Sequence, residues 1–494
     1  MIQIDKTSKT PVYRQMMQQL MQLIRTGALK PGFRLPSTRK LAESSGVNRS
    51  TVYKAYQELW AMGFLESNPG SYTLVRKRPD AEPFEKHEKK CGISWDEKST
   101  VENKAAFERH RRLSKLLVKS KKEGIVNFIS LSPDPRLFPI SAFRKCMNNV
   151  LHYEGEKVLQ YGDPSGHEGL RRFIASRMRE HGVSLTHHEI MITTGAQNAV
   201  ELLLKLFSRP GDAVAVESPT YSNILDMFSI FRMNIIEIPF YTGEKVKGMD
   251  LSLFETVLKT HRPLFLYTIP SFHNPTGMST DQKHREALLE LCMRYKTPIV
   301  EDAFEEELKY FGKVTLPIKS MDKDGIVIYI GTFSKTLFPG LRIGWIAADR
   351  ELLKRLAPVQ KAGFISGNLL DQAALSAFCS SGLYDIHIRR MHQVYRKRMK
   401  AALESMERYM PAFAEWSKPA GGYTIWVKLK NSALREDDFI DRLMDKGIAV
   451  FPGSVHYVTP PKELTFRLSI AHLDEEMIRG GIARLSQHIE KLNP

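Results

Sequence analysis

Cysteine is scarce. Cys91, Cys146, Cys292 and Cys379 are the only four in 494 residues, and no two stand at metal-ligand spacing. They read as ordinary thiols of a reducing compartment, and no metal site is expected. Long apolar stretches are missing too. No run of 18 apolar residues occurs, so no transmembrane helix is expected. The opening residues Met1-Ile2-Gln3-Ile4-Asp5-Lys6 do not form a signal peptide. Together these absences point to a cytoplasmic protein. Acidic residues are short as well, 55 Asp+Glu against 72 Lys+Arg, a net charge of +17. The excess is uneven: residues 1–75 carry 10 Lys+Arg against 4 Asp+Glu, and residues 76–125 carry 15 against 9. A basic excess gathered at one end of a chain implies a polyanionic partner.

The chain is long enough for two or three domains, and one stretch organises most of it. Ile326-Val327-Ile328-Tyr329-Ile330 reads as a buried strand. It runs into Gly331-Thr332-Phe333-Ser334-Lys335, with Pro339-Gly340-Leu341-Arg342-Ile343-Gly344 behind. Ser334 and Lys335 therefore stand at the carboxyl end of a strand, where open α/β sheets place ligands. A lysine there can form a Schiff base with an aldehyde if its amine is held uncharged. Arg342 suits a phosphate, and Ser334 can add a hydroxyl. A strand Glu189–Thr193 turns at Gly195-Ala196-Gln197 into a helix whose first backbone N–H groups face an anion. Gly195 allows a close approach. Arg467, alone inside the apolar strand Phe466–Ala471, requires an anionic partner.

The N-terminus has a different character. Val12, Met16, Leu20 and Ile24 form one stripe of an amphipathic helix. Ser37 offers an N-cap for a short second helix ending near Gly46. Asn48 opens a third helix that turns Val52, Ala55, Leu59 and Met62 inward. Arg49, Ser50, Thr51, Tyr53 and Lys54 are then left on its exposed first turns. Phe64–Ser67 and Ser71–Val75, joined by a turn at Asn68-Pro69-Gly70, make a hairpin. Three helices and a hairpin are a winged helix-turn-helix, whose third helix enters the major groove of double-stranded DNA. Arg39 and the start of the second helix, at Ser37, hold phosphates. The Lys/Arg/Glu-rich stretch after it, with Pro79 and Pro83, reads as a solvated tether, although residues 104–119 can also form a basic helix.

Two resemblances become specific on these residues. Leu35-Pro36-Ser37-Thr38-Arg39-Lys40-Leu41-Ala42 resembles the GntR signature. Ser334-Lys335 followed by Pro-Gly-x-Arg-x-Gly resembles the lysine motif of fold-type I pyridoxal 5′-phosphate (PLP) enzymes. Together they resemble the MocR (GabR-like) regulators. The resemblance implies a winged helix-turn-helix at 1–76, a basic linker at 77–125, a PLP-binding large domain at 126–365 and a small α+β domain at 366–494. The large domain is α/β, a doubly wound, mostly parallel sheet. The resemblance further implies that Tyr221 lies flat on the cofactor ring. Asn274 of Asn274-Pro275-Thr276-Gly277 donates to the ring's phenolic oxygen, Asp302 pairs with its pyridinium nitrogen, and Arg467 clamps an effector carboxylate. Tyr161 reaches the phosphate of the other subunit, so a head-to-tail homodimer is implied. Two departures stand out. Tyr72 occupies a wing position that is usually glycine, and Phe304 one read as usually a tyrosine beside Asn274. The function implied is a PLP-dependent transcription regulator that senses PLP or an amino-acid-type effector through Schiff-base chemistry. Its rivals are an active aminotransferase with an accessory DNA-binding domain and a DNA-binding protein that no longer holds cofactor.

Overall fold

The computed structural model describes residues 2–492 except 6, 9, 69–71, 77–92, 244–246 and 431–433. Pro69 and Gly70 of the expected wing turn, and Pro79 and Pro83 of the expected linker, lie outside the described residues. The chain forms two units, Met1–Trp95 and Asp96–Pro494.

In the first unit, helices α1 (Val12–Arg25), α2 (Thr38–Ser45) and α3 (Arg49–Ala61) precede a hairpin of β1 (Leu65–Asn68) and β2 (Tyr72–Val75). Met16, Leu20, Val52, Ala55, Tyr56 and Leu59 are buried together, the apolar stripes meeting as their spacing requires. Ser37 caps α2 by accepting from the Lys40 backbone N–H at 3.3 Å. Gly46 ends the helix at φ 61°, where glycine has no steric penalty. Two local readings are corrected. Asn48 stands at the N-cap of α3, but its side chain makes no cap hydrogen bond among the described residues. Met62 is 43% exposed rather than inward-facing. It follows the last helical residue, where helical periodicity no longer fixes a side chain's direction.

The second unit opens with a helix, Val101–Lys119, capped by Thr100. The solvated-tether reading fails over this span. Arg109 pairs with Asp226 at 2.8 Å, Arg112 with Glu436 and Asp437, and Lys119 with Asp441. Leu113 and Leu116 pack on Ile129, Phe451 and Val455. The charges that make this stretch look solvated meet acidic partners more than a hundred residues away.

The core of the unit is an eight-stranded sheet. Its strands are β4 (Ile190–Thr193), β5 (Ala213–Ser218), β6 (Asn234–Thr242), β7 (Lys247–Met249), β8 (Leu266–Thr268), β9 (Ile299–Asp302), β10 (Val327–Thr332) and β11 (Gly344–Ala347). They follow β3 (Val126–Asn127), which lies elsewhere. The order is β4-β11-β10-β9-β8-β5-β6-β7. Pairing is parallel from β10 through β9, β8 and β5 to β6, and β11 and β7 run antiparallel to their neighbours. Strands β4, β5, β8, β9 and β10 are buried throughout or nearly so, as a sheet covered on both faces demands, whereas β6, toward the edge, is only partly buried. Parallel strands share a direction, so the ends of β4, β5, β8, β9 and β10 open on one edge. A smaller antiparallel sheet, β12 (Ala414–Trp416), β13 (Thr424–Leu429), β15 (Phe451–Pro452) and β16 (Leu464–Ser469), stands in the order β12-β13-β16-β15. Helices Leu383–Tyr409 and Glu475–Leu492 contribute to its core. β3 pairs with Ile448–Ala449, and Phe128 is buried in this C-terminal core. Residues 126–128, read as the start of the large domain, therefore pack on the small one.

Candidate functional site

The chemistry-bearing side chains sit where the parallel strands end. Three residues beyond Thr332, the last residue of β10, Lys335 is drawn out of solvent. Its Nζ donates to the Leu131 carbonyl at 3.2 Å, and the Tyr423 hydroxyl donates to the Lys335 carbonyl at 2.6 Å. Loss of water pushes the Lys335 ammonium below the ordinary lysine range. Arg467 and Arg342 push the same way, while Glu305 and Asp302 resist. Asp302 closes β9. Tyr267 of β8 donates to its Oδ2 at 2.6 Å. Its buried Oδ1 has no hydrogen-bond partner among the described residues. Burial drives this carboxyl up to about 6, against the Tyr267 hydroxyl, the Phe304 backbone N–H and Lys335.

A second cluster suits an anion. Gly195, at φ 89°, is the N-cap of helix Ala196–Phe207, so Ala196 and Gln197 form its first turn. A Cβ on Gly195 would lie 2.7 Å from Arg342 Nη2, which itself reaches toward the Thr194 carbonyl at 3.5 Å. Only glycine lets that guanidinium lie over the helix start. Ser334 is buried and accepts from the Thr332 hydroxyl at 3.0 Å.

Arg467, in β16, is buried over the Phe451 ring at 4.3 Å. It donates to Asn274 Oδ1 at 3.0 Å and to the Ile129 carbonyl at 3.2 Å. Its Nε has no partner among the described residues. Burial lowers its pKa to about 10, with Glu305 and Tyr221 opposing. Tyr221 caps helix Ser222–Ile230. Its hydroxyl is raised to about 12 by burial and by Asp302. Tyr161 is 81% exposed and stands apart from this group within the chain.

In the first unit Ser37, Arg39, Arg49, Ser50, Tyr53 and Lys54 are exposed and Thr51 is half-buried. Arg49 Nε donates to Thr38 Oγ1 at 3.3 Å, tying the starts of α3 and α2 together. Lys54 lies 4.3 Å over the Tyr13 ring, and Arg34 lies 4.1 Å over Tyr72 in the wing. The bulky wing residue thus carries a cation on its face.

The family model for aminotransferase class I and II matches residues 132–485. The chain belongs to the aminotransferase class I and II family. The model for bacterial regulatory proteins of the gntR family matches residues 12–75. The HTH-type transcriptional regulator YdfD of Bacillus subtilis is 30% identical over 491 residues, covering 99% of this chain and 98% of its own. The probable rhizopine catabolism regulatory protein MocR of Rhizobium meliloti is 28% identical, covering 98% and 95%. A crystal structure of a multiple substrate aminotransferase from Thermococcus profundus superposes with a TM-score of 0.75 at 33% identity, covering 81% of this chain and 99% of that one. The chain is thus a GntR-type regulator fused to an aminotransferase-like domain, the MocR-like architecture.

Class I and II aminotransferases are PLP-dependent, and the residues here fit that group. Asp302 keeps one buried carboxylate oxygen free for a ring-nitrogen proton. The Gly195–Arg342 approach sets a guanidinium over the helix start and leaves no room for a side chain at 195. Lys335 has the lowered amine that an aldehyde requires. Three contributors were not legible in the sequence. Tyr267 orients Asp302 across neighbouring strands. Tyr423 arrives from the start of β13, in the smaller sheet. Glu305 is buried, and Lys335 and Arg467 act to lower its carboxyl pKa against burial. Only the run Glu305-Glu306-Glu307 beside Asp302 signalled it. The Phe304 ring is buried in the apolar core with Tyr267, Val300 and Ile330, and a phenylalanine there brings no hydroxyl to the site.

Proposed function

We propose that this protein is a DNA-binding transcription regulator that binds PLP at Lys335 and reads out either the cofactor itself or an amino-acid-type effector. One observation carries the reading. A lysine with a depressed pKa stands with a buried carboxylate whose Oδ1 is open, in a chain that also bears a basic recognition helix. When bound, PLP supplies an aldehyde for an amine and a ring that withdraws electrons. Asp302 Oδ1 would hold the ring-nitrogen proton. Gly195, Ala196, Gln197, Ser334 and Arg342 would hold the phosphate, Tyr221 would lie against the ring, and Asn274 would present its amide. Arg467 offers its guanidinium to a carboxylate. Tyr161, exposed here, is assigned to the partner's site in a head-to-tail homodimer. The protein works in the cytoplasm, on the nucleoid when DNA-bound.

An effector shifts DNA affinity only by its unequal binding to two conformers. Tenfold regulation takes about 1.4 kcal/mol of coupling, within reach of one Arg–carboxylate pair made in a single conformer. The test is a titration of the full-length protein with amino acids, following visible absorbance and operator binding together, with Lys335→Ala alongside. We expect Lys335→Ala to lose the borohydride-reducible absorbance, and an amino acid to change both signals in the wild type. If no amine changes either while cofactor removal alone changes operator binding, the effector is PLP. A reducible absorbance that survives in Lys335→Ala refutes the lysine assignment. The second reading, an active aminotransferase, is favoured by the gathering of Asn274, Asp302, Lys335, Arg342 and Arg467. Phe304, which lacks the hydroxyl of a tyrosine, argues against fast turnover. Release of a keto acid over many turnovers would establish it.

A further inference from the structure

Most of the basic excess lies in the first 125 residues, and residues 126–494 carry 47 Lys+Arg against 42 Asp+Glu. One element departs from that near-neutral remainder. Between Ile386 and Leu403 the helix Leu383–Tyr409 holds six Lys+Arg and no Asp or Glu. One of the six, Arg398, is buried and paired with Asp134 at 2.6 Å. The other five, Arg389, Arg390, Arg396, Lys397 and Lys400, are exposed. With the exposed Gln393 they span about 120° of the helix circumference. Met391, Tyr395, Met399 and Ala402 take the opposite side into the core. The helix is therefore amphipathic, and its outer face carries charge of one sign.

Elsewhere on this unit exposed cations meet acidic partners: Arg172 pairs with Glu168, Lys205 with Glu201, Lys354 with Glu351 and Lys428 with Glu463. On this face Lys400 alone has one, Glu404 at 3.8 Å. Arg389, Arg390, Arg396 and Lys397 form no ion pair among the described residues. Arg396 lies over the Phe311 ring at 5.5 Å, which steadies the guanidinium and leaves its charge in place. Cations held together on one helix face repel one another, so the face lacks a counter-charge. A second copy of the same face does not supply it, because like signs would meet across a two-fold axis. A membrane surface calls for apolar groups among the cations, and no exposed residue from Arg389 to Lys400 is apolar. Duplex DNA supplies the missing sign, and the chain already carries a GntR-type DNA-binding domain. Arg389 and Lys400 stand about 16 Å apart along the helix, a length over which one DNA strand presents several phosphates.

We propose that this face of the helix Leu383–Tyr409 is a second DNA-binding surface, which holds duplex DNA by its phosphates through Arg389, Arg390, Arg396 and Lys397 and reads no sequence. Contacts of this kind add affinity and position a duplex, while base edges carry specificity. They give the aminotransferase-like unit a hold on DNA of its own. They weaken as salt rises, because each neutralised phosphate releases condensed counterions.

The test uses the full-length protein and a labelled duplex of random sequence, about 60 base pairs long, titrated by fluorescence anisotropy between about 50 and 200 mM salt. The quadruple variant Arg389→Gln, Arg390→Gln, Arg396→Gln, Lys397→Gln should bind at least about tenfold more weakly at the low-salt end. Its plot of log affinity against log salt should be shallower by about 2–4. A variant that keeps the charge, Arg389→Lys, Arg390→Lys, Arg396→Lys, should follow the wild type. A matched control removes four cations that already have acidic partners, by Arg172→Gln, Lys205→Gln, Lys354→Gln and Lys428→Gln, and should keep the wild-type slope. A quadruple variant with the wild-type affinity and slope overturns the proposal. So does a control that loses as much, because net charge alone would then be acting. Arg389→Gln with Arg390→Gln breaks no ion pair or hydrogen bond among the described residues. It decides the matter by about half the change in slope if the quadruple variant fails to fold. Loss of binding to phosphatidylserine vesicles with no loss on DNA would make the face a membrane contact and overturn the proposal as well.

Discussion

Asp302 shows what a single residue here gives up for its role. Its carboxyl is buried, one oxygen is held by Tyr267, and the other is open among the described residues. Its pKa is raised from 3.8 to about 6, chiefly by burial. A carboxyl whose folded pKa is raised contributes stability below its unfolded pKa and loses it as pH rises through the folded value. Between about pH 4 and 6, the ligand-free fold therefore loses about 3 kcal/mol at this one site. A ring nitrogen that shares its proton with Oδ1 removes that cost. Asp302→Asn should thus be slightly different in stability from wild type at pH 4. In the cofactor-free protein it should gain on wild type steadily up to about pH 7, while losing PLP affinity. Urea unfolding across pH 4–8 checks this; a stability difference that does not change with pH would reject it. The residue scale also shows the limit of a motif. Phe304 stands out in the string, while its neighbour Glu305 does not, yet the Glu305 carboxyl is the one buried against the Tyr423 backbone N–H. Which of two adjacent side chains enters a pocket depends on how the chain leaves the strand.

At the scale of the element, α3 behaves as its pattern demands. Val52, Ala55 and Leu59 are buried, so Arg49, Ser50, Tyr53 and Lys54 remain on the outer face. Arg49 stands at the first position, where recognition helices read base edges, and is steadied by Thr38. Arg49→Ala should weaken binding to the operator by about 1–3 kcal/mol and to random DNA by less. Equal losses on both in a mobility-shift titration would make Arg49 a phosphate contact. The helix Val101–Lys119 is the opposite case. Its ion pairs are partly exposed, and such pairs contribute little each. The apolar contacts of Leu113 and Leu116 with Ile129, Phe451 and Val455 carry more of its hold. Ile129 gives its carbonyl to Arg467, and Phe451 lies under the same guanidinium. A helix that reads locally as a charged tether therefore leans on the residues supporting the expected carboxylate clamp.

For the whole molecule, the question is how many chains make a site. Tyr161, Leu159 and Tyr153 are 81%, 69% and 79% exposed. Exposed apolar groups gathered in one stretch mark an interaction surface. If Tyr161 completes a partner's phosphate site, the protein should sediment as a dimer. Tyr161→Phe should then weaken PLP binding while leaving the sedimentation coefficient unchanged. A monomer with full PLP affinity would refute the shared site.

The sequence alone determined the two-part architecture and the parallel sheet, and it marked the positions from which a site is proposed. Strand ends, glycine turns and helix starts are local signals, and Gly195, Asp302, Lys335 and Arg342 each sit on one. The apolar stripes of α1 and α3 are local in the same way, because helical periodicity is fixed by the chain itself. What remained was decided by contacts between distant segments. Residues 126–128 joined the C-terminal core because Ile448–Ala449 offered a strand edge. The stretch 101–119 became a docked helix because Leu113 and Leu116 met the apolar cluster of Ile129, Phe451 and Val455, with Asp226, Glu436, Asp437 and Asp441 beside its charged side chains. Glu305 was buried because Tyr423 and Gly422, more than a hundred residues on, left a place shaped for its carboxylate.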